Sequence, residues 1–176
     1  MSYTKTKNGN APVVEMITGL ESYTTARGIE IKVHPVPQQI VRGVTFGPKP
    51  KRPIVDMPIL GGKSIQKRPV KEGDPEWEDY QEALEVWEEA TGKLQEAVSF
   101  CMALKDYPYP PKFEFSAEIV QLVDLGLLDM PDNPFLLKLM WLRENVLGQH
   151  DEFNITMLIN KLSGVPQEMV DQMKHN

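Results

Sequence analysis

Cysteine and histidine are scarce in this sequence of 176 residues, and their scarcity excludes several kinds of site. The single cysteine, Cys101, has no partner for an internal disulfide, which favours a reducing, cytoplasmic setting. The histidines, His34, His150 and His175, are scattered and show no metal-ligand spacing with one another or with the cysteine. We therefore expect neither a disulfide nor a metal site.

Long apolar runs are also missing from the sequence. None approaches the roughly 20 residues that a membrane-spanning helix needs, so we expect no membrane contact. The N-terminal letters MSYTKTKNGNAP contain no apolar signal-peptide core. We expect residues 1–20 to form a flexible extension.

No catalytic constellation stands out. Gly62-Lys63-Ser64 resembles the end of a phosphate-binding loop, but Met57 stands where that motif requires its first glycine. Cys101 as a nucleophile would need a base and a polar setting, and a buried small apolar side chain is the favoured interpretation. We expect no catalytic residue, no cofactor and no enzymatic activity.

Charge is strongly segregated along the chain, although the net charge is −6. Residues 48–71 carry seven basic side chains and one acid, whereas residues 72–104 carry ten acids and one lysine. This acidic balance argues against general nucleic-acid binding. The favoured interpretation is a basic segment lying near an acidic helix of its own chain, and the alternative is a basic arm that reaches for a partner.

The strongest local signal is the stretch DPEWEDYQEALEVWEEATGKLQEAVSFCMAL, residues 74–104. Asp74 is a good N-cap, and Pro75 suits the first helical position. Larger side chains then recur at steps of three and four, which predicts one long amphipathic helix of about 45 Å. We expect the helix to bury this seam: Trp77, Tyr80, Leu84, Trp87, Thr91, Leu94, Val98 and Cys101.

The N-terminal part of the chain predicts strands. Residues 13–20 are apolar in part and suit a short strand or turn. Residues 23–25 and the alternating residues 29–34 predict a β-hairpin turning at Ala26-Arg27-Gly28. Pro37 then suits the start of a short helix. The Pro-rich basic segment 48–71 excludes a helix and suits two extended arms around Gly61-Gly62.

The C-terminal third predicts short helices. Ser116 can cap the first, Asn133-Pro134 opens the second, Asp151 begins the third, and Pro166 opens a fourth. The predicted fold is therefore α+β, mainly α: a hairpin and basic arm, one long acidic helix, and a cluster of three to four helices. The corresponding segments are 1–20, 21–73, 74–105 and 106–176.

Methionine concentrates in the helical C-terminal half, where it is typical either of gap-filling in a small core or of an adaptable binding surface. Trp141 lies among leucines and a methionine that surround its helix on more than one face. We predict that a partner contacts a set of five apolar residues: Met140, Trp141, Met157, Met169 and Met173.

The order of these segments resembles a family of tail assembly chaperones from long-tailed bacteriophages. The resemblance rests on RGIEIKVHPVP, the Pro-rich arm, DPEWEDYQEALEVWEEA, and the tail DNPFLLKLMWLRENVL followed by LINKLSGVPQEMVDQ. It extends from about Gly28 to Gln172.

The resemblance implies a small, acidic, non-enzymatic protein of the host cytoplasm. Such a protein would bind the tape-measure protein, keep it soluble, and hand it over as tail-tube protein polymerises around it. The resemblance leaves open whether this chain forms a homo-oligomer. The alternative is a structural virion component, a small neck or tail adaptor that stays in the particle.

Overall fold

The computed structural model describes residues 19–58 and 65–164, and it has the mixed, mainly helical α+β architecture that the sequence predicts. Most of the expected strand at 13–20, the Gly61-Gly62 turn and the helix from Pro166 lie outside the described residues. The elements are β1 (Glu21–Thr24), β2 (Glu30–Val33), α1 (Gln38–Gly43), β3 (Ile54–Pro58), β4 (Ile65–Pro69), α2 (Pro75–Ala103), α3 (Ala117–Asp124), α4 (Pro134–Asn145) and α5 (Asp151–Leu162).

The N-terminal hairpin is confirmed. Strands β1 and β2 pair antiparallel with Glu21 opposite Val33 and Thr24 opposite Glu30. Gly28 has a φ of 77° in the turn, a backbone conformation that glycine adopts without steric cost. Ile31 and Val33 are buried, whereas Glu30 and Lys32 are exposed, so the alternating apolar residues of β2 form its inward face.

The basic segment forms the two extended arms that the sequence predicts. Strands β3 and β4 pair antiparallel, with Ile54 opposite Pro69 and Pro58 opposite Ile65. At the base of this arm Val70 is fully buried, and its backbone N–H donates to the Pro53 carbonyl at 2.9 Å. The arm is therefore anchored to the fold at the end nearest the helices.

Helix α2 begins and ends close to the predicted residues, and Asp74 occupies the N-cap position, but the predicted capping bond of its carboxylate is absent. The Asp74 carboxylate makes no hydrogen bond to the helix N-terminus. It accepts instead from the Lys71 backbone N–H at 2.8 Å and pairs with the Arg68 guanidinium. An arginine six residues upstream thus competes successfully for the capping carboxylate.

The predicted burial of the α2 seam is correct only for its second half. Thr91 is the first buried residue of the helix, and Leu94, Val98 and Cys101 follow it into the core. Four earlier seam residues are only half-buried: Trp77, Tyr80, Leu84 and Trp87. The first half of α2 therefore extends beyond the main core.

The C-terminal helices begin at the predicted caps. The Ser116 hydroxyl accepts from the Ile119 N–H at 3.4 Å, and the Asn133 side chain accepts from the Phe135 N–H at 2.9 Å. Helix α4 ends at Asn145. Gly164, with a φ of 74°, follows the end of α5.

One core joins these elements. It brings together apolar residues of β2, α1, the second half of α2, α4 and α5. Its largest fully buried side chains are Phe100, Ile31, Leu104, Leu139, Leu142 and Ile155. Packing of α4 against α2 supplies the main helix–helix contact of the core.

A buried carboxylate fastens the hairpin to the start of α5. Asp151 is 2% exposed. It accepts hydrogen bonds from the Tyr23 hydroxyl at 2.7 Å, from the Ala26 N–H at 2.9 Å and from the Gly148 N–H. Burial opposes ionisation, but the donors at Gly148, Tyr23 and Ala26 outweigh it and lower the pKa of this carboxyl.

Gly148 is required by close approach of the backbone. A Cβ atom at this position would lie 2.6 Å from Cβ of Ala26 and 3.2 Å from Oδ2 of Asp151. The first distance is shorter than any ordinary carbon–carbon contact, so a side chain here would push the hairpin turn away from the carboxylate.

We therefore predict that Gly148→Ala destabilises the protein by roughly 1–3 kcal/mol, the usual cost of overpacking. Gly92→Ala is the matched control, because Gly92 lies in α2 with open space around its Cβ position. That variant should be neutral or more stable by up to about 1 kcal/mol, since alanine favours helix. Urea unfolding measures both changes, and equal stabilities for the two variants would contradict the close contact.

Asp151→Asn should lower the free energy of unfolding at pH 7 by roughly 2–4 kcal/mol, because the amide cannot accept from all of these donors. The folded-state pKa of Asp151 is depressed, so its contribution is present above the unfolded-state value of about 3.9. That contribution is lost as the pH falls through the folded-state pKa. The stability difference between wild type and variant should therefore shrink below about pH 4, and a difference independent of pH would contradict the account.

Candidate protein-binding surface

The structure places the predicted contact residues that it describes on different helices or on different faces of one helix. Met140, Trp141 and Met157 are each half-buried, and Met169 and Met173 lie outside the described residues. Met140 and Trp141 are consecutive on α4, so they point about 100° apart around the helix axis. Met157 lies on α5. The prediction of one surface containing all five residues remains a prediction.

Trp141 belongs to an aromatic cluster with the connector between α2 and α3. Its ring centroid lies 5.8 Å from Phe113 and 6.3 Å from both Tyr107 and Tyr109. These separations are typical of packed aromatic pairs. Trp141 therefore holds the connector against α4, and its replacement would disturb the fold as well as any partner contact.

Among the described residues, a further set of exposed apolar side chains lies on α3 and in the turn after it. No residue of the eight-residue helix α3 is buried. Beyond the helix, Leu125 is 63% exposed and Leu127 is 72% exposed, on either side of Gly126 with its φ of 67°. We call this the α3 surface, and its exposed apolar members are Val120, Leu122, Leu125, Leu127 and Met130.

One carboxylate of α4 attaches the start of α3 to the fold. Glu144 Oε1 accepts from the Ser116 N–H at 2.7 Å. The same Ser116 caps α3 through its hydroxyl. The helix is therefore fixed at its N-terminus, while its apolar residues stay open to solvent.

The sequence contained a signal for this surface that our prediction did not use. The stretch AEIVQLVDLGLLDM is rich in leucine, isoleucine and valine, yet only eight of its residues form helix. Because the helix ends at Asp124, the apolar residues after it lie in a turn, where the helix does not cover them. Our prediction relied on the distribution of methionine and therefore selected residues of α4 and α5.

A basic strap lies along α2 from Gln95 back to Trp77, which agrees with the favoured interpretation of the charge pattern. We define the strap as residues 44–52. It runs antiparallel to α2 and is joined to it by three hydrogen bonds: Gln95 to the Val44 carbonyl at 2.9 Å, the Phe46 N–H to Thr91 at 3.1 Å, and Trp87 to the Gly47 carbonyl at 3.3 Å.

Cations of the strap lie over the two tryptophans of α2. The Lys49 ammonium lies 5.4 Å from the ring centroid of Trp87, and the Arg52 guanidinium lies 5.2 Å from that of Trp77. Both distances allow cation–π attraction. The main core does not reach these two rings, and the strap partly covers them instead.

The Arg68–Asp74 pair joins the basic arm to the start of α2. The guanidinium contacts the two carboxylate oxygens at 2.5 and 2.7 Å. The hydrogen bonds from Arg68 and from the Lys71 N–H lower the pKa of the Asp74 carboxyl. The pair is fork-shaped and fixes the direction of the arm.

The described residues give no geometry for metal or thiolate chemistry. No group of three metal-ligating side chains occurs within 19–58 and 65–164. Burial raises the pKa of the Cys101 thiol to about 11, so it is protonated at neutral pH. In the same part of the chain, no helix is long and apolar enough to cross a membrane.

Comparisons with known proteins identify no relative: no family model, no curated protein and no solved structure matches this chain. The α3 surface and the strap therefore have to be interpreted from their own chemistry.

Because only the second half of α2 is buried, substitutions in its two halves should lower the free energy of unfolding by different amounts. We predict that Trp87→Ala costs about 1–2 kcal/mol, because this ring is covered only by the strap. Phe100→Ala, at a fully buried position of the same helix, should cost about 3–5 kcal/mol. Chemical denaturation of both variants checks the comparison, and equal losses would place Trp87 in a filled core.

Proposed function

We propose that this protein is a non-enzymatic tail assembly chaperone of a long-tailed bacteriophage. In this proposal it binds the tape-measure protein in the cytoplasm of the bacterial host and keeps it soluble until tail-tube protein encloses it. Two findings support the proposal: the order of segments resembles that family, and the α3 surface exposes five apolar residues between Val120 and Met130. The second observation carries the binding step.

The chemistry of the α3 surface suits an apolar helical segment. Leu125 and Leu127 are more than half exposed, although leucine is among the residues most often buried in folded proteins. Clustered exposure of large apolar residues marks interaction sites in soluble proteins. A partner helix would present apolar residues at spacings of three and four to such a surface.

The charge of the chain suits a soluble complex that must later come apart. Ten acids lie between residues 72 and 104, mostly on exposed positions of α2. Net charge of one sign opposes association between copies of the complex. The small size of the α3 surface would keep affinity modest, which permits release without covalent chemistry.

A structural virion component is the second candidate. The observation that favours it is the β3–β4 arm, where Ile54 is 67% exposed and Ile65 is 65% exposed among basic residues. Such an arm could insert into a neighbouring subunit. Mass spectrometry of purified particles separates the two, because an adaptor stays in the particle and a chaperone leaves it.

The test of the chaperone proposal is co-expression with the tape-measure protein of the same phage. We predict that wild type keeps this partner soluble and that a Leu125→Asp, Leu127→Asp double variant does not. Both positions are exposed, so the variant should keep the unfolding midpoint of wild type.

The matched control is Val86→Asp with Phe153→Asp, which adds the same charge at exposed apolar positions outside the α3 surface. It should retain wild-type activity in the co-expression assay. Equal solubility of the partner with all three proteins, or no solubility with wild type, would contradict the proposal.

A further inference from the structure

A separate pocket of about 440 Å³ opens where the end of β2, the end of α2 and the start of α4 meet. This volume is within the range of small-molecule sites. Most of its wall is apolar, and the apolar lining residues are Pro35, Pro37, Cys101, Met102, Tyr109 and Phe135. Its other lining residues are Lys105 and Lys138. The pocket does not include any residue of the α3 surface.

The charge of this pocket is opposite to that of the chain. Both charged lining residues are lysines, whereas the whole protein carries a net charge of −6. The Lys138 ammonium lies 5.0 Å from the ring centroid of Tyr109 and also acts electrostatically on the Cys101 thiol. Asp106, beside Lys105 in sequence, pairs with His34 at 2.7 Å. Lys105 and Lys138 thus both line the pocket, and no carboxylate-bearing residue lines it.

The remaining titratable groups of the lining are neutral at pH 7. Burial raises the pKa of the Cys101 thiol to about 11, against the opposing influence of Lys138. Burial also raises the pKa of the Tyr109 hydroxyl, which lies beside that thiol. The hydroxyl oxygen is buried and has no hydrogen bond of normal geometry to any described residue. Neither group supplies a negative charge that would neutralise the lysines.

We propose that this pocket binds a medium-chain aliphatic carboxylate. The alkyl chain would lie against the apolar wall, and the carboxylate would lie between the ammonium groups of Lys105 and Lys138. An apolar wall with a few convergent polar groups is the usual form of a ligand site. Paired cations select an anionic head group over a neutral or cationic one of the same length. This inference stands independently of the proposed chaperone function.

The first test is calorimetric titration of the full-length protein with octanoate, and with 1-octanol as the neutral probe. Octanoate should bind at least about tenfold more tightly than 1-octanol, a difference of about 1.4 kcal/mol. A Lys105→Gln, Lys138→Gln double variant should lose this preference. Lys112→Gln is the control, since Lys112 is exposed and does not line the pocket; it should bind like wild type.

A second measurement locates the ligand. Met102 lines the pocket, whereas Met157 on α5 does not, so the methionine methyl signals in an NMR spectrum distinguish binding at this site from binding elsewhere. Octanoate should shift the Met102 signal and leave the Met157 signal unmoved in wild type and in Lys112→Gln, and should have little effect on the double lysine variant. No octanoate binding, equal binding of 1-octanol, or a Met102 shift that persists in the double variant would overturn the proposal.

Discussion

The buried carboxylate of Asp151 is the interaction on which the arrangement of the chain depends. It joins the turn of the N-terminal hairpin to the start of α5, and its bond to Ala26 spans 125 residues of sequence. An isolated two-stranded hairpin is only marginally stable in water. Two donors of the hairpin, the Tyr23 hydroxyl and the Ala26 N–H, converge on this anion and hold the hairpin so that Ile31 and Val33 enter the core. Gly148 permits the approach because it has no Cβ.

The resulting core is small, and its position determines which surfaces stay open. It covers α2 only from Thr91 onwards, and Lys49 and Arg52 of the strap lie over the two earlier tryptophans. Helix α3 receives no buried position at all. A chain of this length buries only part of its apolar surface. We regard the uncovered part, centred on Leu125 and Leu127, as the functional part.

Local sequence rules predicted where helices and strands begin better than they predicted which residues are buried or in contact. The caps at Ser116 and Asn133 and the turn at Gly28 depend on neighbouring backbone, so residue type was enough to place them. The capping role of Asp74 failed because Arg68 competes for its carboxylate, and no local rule includes that residue. The heptad seam predicted burial along all of α2, but burial depends on how far the remaining chain can reach. The contacts of Asp151 join residues distant in sequence and had no local signal.

The central claim is that the α3 surface is where a partner protein binds. Hydrogen–deuterium exchange of the chain alone and in the co-expressed complex tests it most directly, because every backbone amide reports its own protection. The account predicts that amides of residues 117–130 become protected in the complex, while those of the second half of α2 are already protected in both states. Unchanged exchange at 117–130, with new protection confined to the strap or to the β3–β4 arm, would contradict it.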